Sequence, residues 1–288
     1  MHIASCEICG DGKVEFLRFT SYPDHPNWYR CTNCRSECLR PQPDDLRLSE
    51  IYGPEYYEPW TWERPEIVQA AKSHTLIQAL SLAAPHPGQR LLDVGCAQGE
   101  FAAVASQRGL KVFGVDLNPQ AVLTARERVP EGTFWCGEID AAAAAANFDV
   151  ITMFDFIEHV RDPIETLRQA ASLLDPNGSL LVSTPRAGSV THRMMGRIWP
   201  QYREEHLHLL SLAGLTLALG QASMTVVRFQ PTTKYLTGSY LLGQLASYST
   251  PTIEALTKRF RAVNSLTPMH WQVPMRFGEV LVLARRDN

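Results

Sequence analysis

The sequence predicts an α/β fold built on a doubly wound parallel sheet, preceded by a small cysteine-rich unit. Between residues 91 and 183, short apolar runs typical of strands alternate with longer runs typical of helices, the order that a parallel sheet requires. Two Cys-x-x-Cys pairs lie near the start of the chain. With 288 residues, the chain has room for one complete α/β domain and a small appendage.

The overall composition favours an ordinary packed protein and disfavours a nucleic-acid partner. Hydrophobic residues make up 45% of the chain and charged residues 20%, so we expect a packed core over most of its length. The 27 basic and 30 acidic residues give a formal net charge of −3, whereas proteins that grip phosphate backbones normally carry a basic excess. No stretch has the pattern of a signal peptide or the length of a membrane span, so we expect a cytoplasmic protein.

The first feature with chemistry of its own is a set of four cysteines. Cys6 and Cys9 form one Cys-x-x-Cys pair, and Cys31 and Cys34 form a second pair about twenty residues later. In a cytoplasmic protein this spacing predicts one tetrahedral zinc ion held by four thiolates. Because sulfur would fill every coordination position, the ion would be structural. The alternative is free or redox-active cysteines, and Cys38 is either a spare thiol or a ligand in place of Cys34.

A glycine-containing turn organises the predicted α/β domain. An apolar strand ends near Asp93, and Gly95 and Gly99 let the backbone turn tightly before a helical run begins. This arrangement points a helix N-terminus at a ligand. The next strand ends at Asp116, the position from which a carboxylate holds the two ribose hydroxyls of a nucleotide-like ligand. The sequence therefore predicts a nucleotide-like ligand at this turn.

The same pattern resembles the first two motifs of the class I S-adenosylmethionine-dependent methyltransferases, whose loop usually reads D-x-G-x-G-x-G. Ala97 stands in place of the middle glycine, and we expect it to keep a negative φ. An NAD-binding domain would instead need G-x-G-x-x-G, which this loop does not supply. The resemblance implies S-adenosylmethionine as cofactor, with contacts at Asp93, Gly95, Cys96, Ala97, Gly99, Phe101, Asp116, Leu117, Phe154 and Asp155.

The resemblance also implies how adenine would be bound. In these methyltransferases an acidic residue just past the third strand pairs with the adenine amino group, and an apolar neighbour covers the ring. Glu138 and Ile139 are the corresponding residues here. The alternative is that Glu138 or Asp140 caps the alanine-rich run at 141–146.

The remaining elements complete the sheet. Residues 148–154 are predicted to form the fourth strand, which delivers Asp155, Glu158 and His159 to the carboxyl edge, where open α/β sheets bind ligands. The run that begins at Phe156 closely resembles the fourth motif of small-molecule methyltransferases. The elements expected after it are a helix at 163–174, a turn at 175–178, a strand at 179–183, a helix at 211–222 and strands at 225–229 and 279–284. The resemblance thus implies a seven-stranded Rossmann-like sheet.

These assignments divide the chain into three parts. They are a zinc-ribbon domain at 1–45, a linker or lid with a leading helix at 46–90, and the methyltransferase domain at 91–288. Tyr56 and Tyr57 belong to an aromatic and proline-rich run that either packs on the ribbon or forms a lid over the site. An insertion at about 232–277 has helical character and either shapes a substrate pocket or makes a homodimer contact.

The stretch after the fifth strand carries the candidate catalytic residues. Glu205-His206-Leu207, followed by Ser211 at a helix start, resembles a segment of bacterial deoxysugar C-methyltransferases, which also have an N-terminal zinc-binding domain. That resemblance implies that Glu205 and His206 remove a proton from the acceptor, with Tyr202 nearby. A poised base suits methyl transfer, because a hydroxyl or activated carbon must lose a proton.

Each histidine in this region also has a structural alternative. His206 could cap the helix or pack at its start, and His159 either contacts the acceptor or hydrogen-bonds the backbone. For His208 we expect a structural role.

These features together favour S-adenosylmethionine-dependent methyl transfer to a small molecule. The acceptor would be a sugar, a glycan precursor or a natural-product intermediate, methylated on oxygen or carbon. One alternative is a non-catalytic binding module, in which the ribbon recruits a partner and the second domain only senses the cofactor. Another is an RNA methyltransferase, which the near-neutral charge disfavours.

Overall fold

The computed structural model describes residues 5–10, 13–17, 27–53, 65–145, 147–237, 272–276 and 278–287. Tyr56 and Tyr57 lie outside these residues, as does most of the insertion predicted at about 232–277.

The chain begins with a small antiparallel sheet and two helices. Strands β1 (Val14–Leu17), β2 (Asn27–Cys31) and β3 (Glu37–Arg40) pair in consecutive order. Helix α1 (Asp45–Ile51) is capped by Asp44, whose side chain accepts a hydrogen bond from the Arg47 amide. Helix α2 (Pro65–Ala83) then leads to the larger sheet.

The next elements alternate between strand and helix, as predicted. They are β4 (Arg90–Val94), α3 (Glu100–Ser106), β5 (Lys111–Asp116), α4 (Pro119–Arg128), β6 (Thr133–Cys136), β7 (Phe148–Phe154), α5 (Pro163–Leu173) and β8 (Leu174–Pro185). Two 3₁₀ helices, Ile139–Ala145 and Ile157–His159, follow β6 and β7. The turn predicted at 175–178 is instead an irregularity within β8, since pairing with β7 resumes at Ser179.

The remaining elements close the fold. They are α6 (Val190–Met195), a 3₁₀ turn at Gly196–Ile198, β9 (His208–Leu209), α7 (Leu212–Gln221), β10 (Met224–Pro231), β11 (Lys234–Thr237), β12 (Gln272–Met275) and β13 (Glu279–Arg286).

In the described part of the chain, seven strands form the large sheet in the order β10-β13-β8-β7-β4-β5-β6. Strands β4 to β8 are parallel, and β13 runs antiparallel to both β8 and β10. This arrangement confirms the predicted seven-stranded, doubly wound Rossmann-like sheet. The chain order reverses between β4 and β7, so the carboxyl ends of these two strands flank the crevice where such sheets bind ligands.

Helices cover both faces of this sheet. Leu76 of α2, Ala102 of α3 and Val122 of α4 belong to one buried apolar cluster. Leu167 of α5 and Leu215 of α7 belong to the other. Because β7 is covered on both faces, its sequence is a nearly continuous apolar run, and six of its seven residues are buried.

The fourth strand of the small sheet comes from far along the chain. Strand β9 pairs antiparallel with β3, which places His208 opposite Cys38. The Leu39 amide donates to the Leu207 carbonyl at 2.9 Å. The small sheet therefore extends beyond the boundary predicted at residue 45 and is bound directly to the stretch predicted to be catalytic. The three-part division itself stays a prediction.

Among the helices that the structure describes, none has both the length and the apolar character needed to cross a membrane.

Candidate active site

The loop between β4 and α3 is a tight turn against β5 and the segment after β7. The amides of Gly95 and Cys96 donate to the Val115 carbonyl at 2.9 and 3.1 Å. Gly95 has a φ of 75°, and a Cβ there would lie 2.6 Å from the Phe156 ring. Gly99 begins α3 in the left-handed conformation, with a φ of 76°. Both predicted glycines therefore stand where the backbone disfavours a side chain.

The conformation predicted for Ala97 is wrong. Its φ is 46°, in the left-handed region rather than negative. The Ala97 amide donates to Asp116 Oδ2 at 2.8 Å, and this contact helps to hold the residue in that conformation. The loop thus keeps left-handed backbone at all three positions of the glycine motif, although one of them is alanine.

Asp116 closes this loop from the end of β5. Its Oδ2 accepts from the Ala97 amide and its Oδ1 from the Asn118 amide, at 2.8 and 2.9 Å. Burial raises the pKa of Asp116, and the two amide hydrogen bonds act in the opposite direction. The carboxyl group is therefore fixed at the strand end predicted to bind ribose.

Asp93 ties together the two central strands. It is buried at the end of β4, and its Oδ1 accepts from the Thr152 hydroxyl of β7 at 2.7 Å. This hydrogen bond joins the strands at the base of the loop.

Leu117, a predicted cofactor contact, and Glu138 and Ile139, the predicted adenine contacts, follow β5 and β6, which are neighbours in the sheet. Leu117 comes directly after β5 and is 69% exposed. Past β6, Glu138 is exposed and Ile139 is buried. The adenine contact itself stays a prediction.

Four further predicted cofactor residues lie around the same edge. The Phe101 and Phe154 rings meet edge to face, with centroids 5.0 Å apart. Asp155 is exposed just past β7 and has a φ of 49°. Cys96 is buried, and burial raises the pKa of its thiol. An unreactive buried thiol at this position suits a packing role.

The two histidines predicted to take part in catalysis, His159 and His206, pack edge to face beside this edge of the sheet. His159 lies in the 3₁₀ turn after β7, and His206 lies shortly before β9. Their ring centroids are 4.8 Å apart with an interplanar angle of 78°. The Leu207 amide donates to the Glu158 carbonyl at 2.8 Å, so backbone pairing holds the two segments together.

Backbone carbonyls fix both imidazoles through Nδ1. His206 Nδ1 is 2.7 Å from the Gln201 carbonyl oxygen, and His159 Nδ1 is 3.0 Å from that of Glu205. Tyr52 also places its hydroxyl 2.8 Å from His159 Nδ1. Because a carbonyl only accepts, His206 Nδ1 carries a proton. His159 Nδ1 contacts both a carbonyl and a hydroxyl, and a hydroxyl can donate as well as accept. Burial lowers the pKa of His159, which favours the neutral form.

The two glutamates of this region have different environments. Glu158 is buried, and its Oε2 accepts from the Thr184 hydroxyl at 2.9 Å. The Glu205 side chain is 15% exposed, and its Oε1 is 3.4 Å from Arg203 Nη1. It is therefore the backbone of Glu205, rather than its carboxylate, that contacts His159.

Tyr202 belongs to another polar cluster, which reaches the ribbon. Its hydroxyl donates to Glu37 Oε2 at 2.8 Å and lies 2.7 Å from His192 Nε2. The Gly188 amide donates to His192 Nδ1 at 2.8 Å, so the proton of this imidazole is on Nε2. Arg30 extends this network, with its Nη2 2.6 Å from Glu37 Oε1.

The pKa shifts of Tyr202 and His192 agree with that hydrogen-bond pattern. Burial raises the pKa of Tyr202, and the neighbouring Glu37 raises it further. Burial also lowers the pKa of His192, which keeps its imidazole neutral. The network gives Tyr202 a structural role, and its catalytic role stays a prediction.

Sequence reasoning missed Tyr52, Glu37 and His192. Tyr52 belongs to the aromatic run after α1, but its hydrogen bond to His159 depends on tertiary packing. Glu37 and His192 carry no motif, because a single acid on a strand or a single histidine on a helix is common on any protein surface.

The four cysteines of the two Cys-x-x-Cys pairs converge. Their Sγ atoms lie within 4.8 Å of one another, with Cys6–Cys34 at 3.7 Å and Cys9–Cys31 at 3.6 Å. A tetrahedral zinc ion with bonds of about 2.3 Å holds its sulfurs about 3.8 Å apart, so this donor set fits zinc. Cys38 is outside the cluster, in β3 opposite His208.

His208 is buried beside the ribbon. Its Nε2 is 3.2 Å from the Arg161 carbonyl and 3.2 Å from the Gln42 side chain. Burial lowers the pKa of this imidazole. These contacts join the ribbon to the segment after β7, in keeping with a structural role.

Two curated proteins resemble part of this chain in sequence. The chain is 36% identical over 107 residues to a ubiquinone biosynthesis O-methyltransferase of Xanthomonas campestris, covering 34% of this chain and 44% of the relative. It is 29% identical over 151 residues to a protein of the same name from Vibrio campbellii, covering 48% of this chain and 64% of the relative. The chain thus spans about half the length of the curated relatives it matches.

Solved structures with the same fold have low sequence identity. The magnesium protoporphyrin IX methyltransferase of Synechocystis PCC 6803, with bound SAH, superposes with a TM-score of 0.56 at 15% identity, covering 85% of this chain and 100% of that chain. The [4+2]-cyclase SpnF superposes with a TM-score of 0.55 at 15% identity, covering 86% and 98%. At these identities the similarity shows the fold alone, and one of these structures is named for a cyclisation.

The family is shown by a longer match. The sequence profile of the methyltransferase domain family matches residues 64–228, more than half of the chain. That range contains the glycine loop, both strand-end acids and the histidine pair. The chain therefore belongs to the methyltransferase domain family, the S-adenosylmethionine-dependent enzymes that its motifs resemble.

Proposed function

We propose that this chain transfers a methyl group from S-adenosylmethionine to a small-molecule acceptor. The observation that carries the proposal is the position of residues 155–159, which border both parts of the site. Phe156 packs against Gly95 of the nucleotide loop, while His159 packs against His206. A cofactor on the loop and an acceptor beside the histidines would share this short segment, as direct transfer requires.

The residues of the loop fit the cofactor. Asp116 would hold the ribose hydroxyls from the end of β5, as acids at this position do in related nucleotide sites. Leu117 and Ile139 would cover the adenine ring, and Glu138 would bind its amino group. When bound, the cofactor supplies an electrophilic methyl group on a sulfonium.

On the acceptor side, Glu205 and His206 are the candidate base. The Gln201 carbonyl holds the proton of His206 on Nδ1, which leaves the Nε2 lone pair to take a proton from the acceptor. His159 is kept neutral by its lowered pKa, so its imidazole can also accept a hydrogen bond from the acceptor.

The acceptor is proposed as a hydroxyl or activated carbon of a small molecule. The relatives named for ubiquinone biosynthesis are O-methyltransferases, which supports a hydroxyl. The resemblance to deoxysugar C-methyltransferases supports a sugar, a glycan precursor or a natural-product intermediate. The net charge of −3 counts against RNA.

We also propose a structural zinc ion in the ribbon. The convergence of four thiols at distances that match a tetrahedral ion supports this assignment. The Asn33 amide donates to Cys31 Sγ at 3.3 Å, a contact that would stabilise a metal-bound thiolate.

Calorimetry with S-adenosylhomocysteine and an acceptor screen read by mass spectrometry test the proposal. We expect binding by the wild type and at least about tenfold weaker binding by Asp116→Ala, because the ribose would lose a charged partner. His206→Ala should lower kcat by about 10²- to 10⁴-fold with unchanged S-adenosylhomocysteine affinity. The exposed His86→Ala is the matched control.

Three outcomes would contradict the proposal. No cofactor binding, together with no effect of Asp116→Ala, would remove its basis. Cofactor binding without turnover of any acceptor would favour the non-catalytic binding module. Salt-dependent RNA binding with methylated RNA as product would favour the RNA methyltransferase.

A further inference from the structure

We propose that Glu158, His159 and His206 form a binding site for a divalent first-row transition-metal ion, separate from the ribbon zinc. One carboxylate oxygen of Glu158 and one ring nitrogen of each histidine lie within 4.8 Å of one another. Two imidazoles and one carboxylate are a ligand set that zinc and related ions use in sites with open coordination positions.

Both histidines are oriented as metal ligands usually are. A ligating histidine normally donates its other ring N–H to a carbonyl or carboxylate, which fixes the tautomer and the ring direction. His206 Nδ1 lies 2.7 Å from the Gln201 carbonyl oxygen in this way, and His159 Nδ1 lies 3.0 Å from the Glu205 carbonyl oxygen and 2.8 Å from the Tyr52 hydroxyl. Each ring is thereby held in a fixed position in a cluster that also contains a carboxylate.

The charge balance of the cluster also favours a cation. Glu158 is 1% exposed, and the Thr184 hydroxyl donates to its Oε2. A divalent ion held between this carboxylate and the two imidazoles would balance the buried negative charge.

The geometry requires only a small closure. Ligand atoms about 2.1 Å from a tetrahedral ion are about 3.4 Å apart. The three side chains, which lie within 4.8 Å, would therefore move together by no more than about 1.4 Å. Rotations about their side-chain bonds can supply that movement.

The catalytic role of the ion rests on the proposed function. An acceptor hydroxyl bound at an open position would ionise on the metal and release its proton to water. The resulting oxyanion attacks the methyl carbon, and the electron pair of the breaking C–S bond returns to sulfur. In this arrangement His206 acts as a metal ligand, and the ion performs the activation otherwise assigned to His206 as base.

Metal content of the full-length protein tests the site without any turnover. After incubation with zinc chloride and desalting, we expect about two zinc ions per wild-type chain by mass spectrometry, one in the ribbon and one here. His159→Ala and His206→Ala should each retain about one, and His86→Ala about two. Calorimetry with S-adenosylhomocysteine checks that each variant is folded.

Manganese provides a second measurement that needs no variant. Mn²⁺ prefers nitrogen and oxygen ligands and avoids a four-thiolate site, so imidazole-coupled Mn²⁺ reports on this cluster and not on the ribbon. Pulsed electron paramagnetic resonance of Mn²⁺ added to the wild type should show couplings to two imidazole nitrogens. A wild type with about one zinc ion and no imidazole-coupled Mn²⁺ would overturn the proposal, as would full metal retention in both histidine variants.

These results are distinguishable from failure of the proposed function. A bound second metal without methyl transfer to any acceptor would leave the metal site standing and refute the function. Methyl transfer by a wild type that binds only the ribbon zinc would refute the metal site and leave His206 as the candidate base.

Discussion

Gly95 and Ala97 show how single residues shape the nucleotide loop. Both have positive φ, 75° and 46°, but for different reasons. At Gly95 a side chain would meet the Phe156 ring, whereas the Ala97 amide is held by a hydrogen bond to Asp116. Sterics therefore require glycine at the first position, and backbone bonding makes alanine tolerable at the second.

Substitution of Gly95 should cost much more stability than substitution of Ala97. Gly95→Ala should destabilise the fold by about 1–3 kcal/mol and weaken S-adenosylhomocysteine binding at least about tenfold, because the new Cβ would be 2.6 Å from Phe156. Ala97→Gly should change stability by less than about 1 kcal/mol, since relief of strain offsets the added backbone entropy. Urea denaturation and calorimetry measure both, and equal effects of the two changes would refute this account.

Buried histidines should make the protein sensitive to mild acid. Burial lowers the folded-state pKa of His159, His192 and His208, so the unfolded chain takes up protons first as the pH falls. Above the unfolded-state pKa of about 6.5, both states are neutral and these histidines do not change stability. Below it, the unfolded chain binds more protons and is favoured. We expect the free energy of unfolding to fall below pH 6.5 by up to about 1.4 kcal/mol per pH unit for each histidine. A urea midpoint unchanged between about pH 7.5 and 5.5 would contradict this.

At the scale of elements, α7 begins against the ribbon. Ser211 caps the helix by accepting from the Gly214 amide, and its hydroxyl donates to the Cys34 carbonyl. The Ser211 amide donates to Ser36 Oγ at 3.2 Å. The first turn of α7 is therefore fitted to the loop that carries the last cysteine of the cluster.

The contact between Gly214 and Ser36 can be tested by a double-mutant cycle. A Cβ at Gly214 would lie 1.9 Å from Ser36 Oγ, so Gly214→Ala should cost about 1–3 kcal/mol despite the better helix propensity of alanine. Ser36→Ala removes that oxygen and should recover part of the loss in the double variant. Urea denaturation of the four proteins gives the coupling energy, and strictly additive effects would show that the two residues do not clash.

At the scale of the whole molecule, the ribbon and the α/β domain share one small sheet. Strand β9 pairs with β3, and the network of Arg30, Glu37, Tyr202 and His192 crosses the same junction. The stretch with Glu205 and His206 lies between this junction and the turn after β7. The nucleotide loop depends instead on β4, β5 and β7.

Removal of the ribbon zinc should therefore disturb the stretch with Glu205 and His206 and leave the nucleotide loop unchanged. In His159→Ala, which keeps only the ribbon zinc, a chelator should lower the melting temperature and displace His206, while S-adenosylhomocysteine affinity changes by less than about threefold. Metal analysis, differential scanning calorimetry and binding calorimetry measure these effects, and added zinc should reverse them. Parallel loss of zinc and of cofactor affinity would show that the loop depends on the ribbon.

Motifs made from neighbouring residues were accessible to sequence reasoning. The cysteine pairs, the glycine loop and the acids at the ends of β4 and β5 each combine a fixed spacing with a strand or turn pattern. The sheet class followed from the same alternation, and the seven-stranded order is confirmed. Ala97 was misjudged because its φ is set by a hydrogen bond to Asp116, which lies on another strand.

The sequence by itself determined the family, the large sheet and the residues at its carboxyl edge, because these depend on local periodicity and short spacings. Only the tertiary structure placed Tyr52 on His159, joined Tyr202 to Glu37 and His192, and made β9 part of the ribbon sheet. Such contacts join residues far apart in the chain, and each depends on the packing of complete elements. No local pattern of amino acids encodes them, so the arrangement around Glu205 and His206 is decided by how the ribbon and the α/β domain pack together.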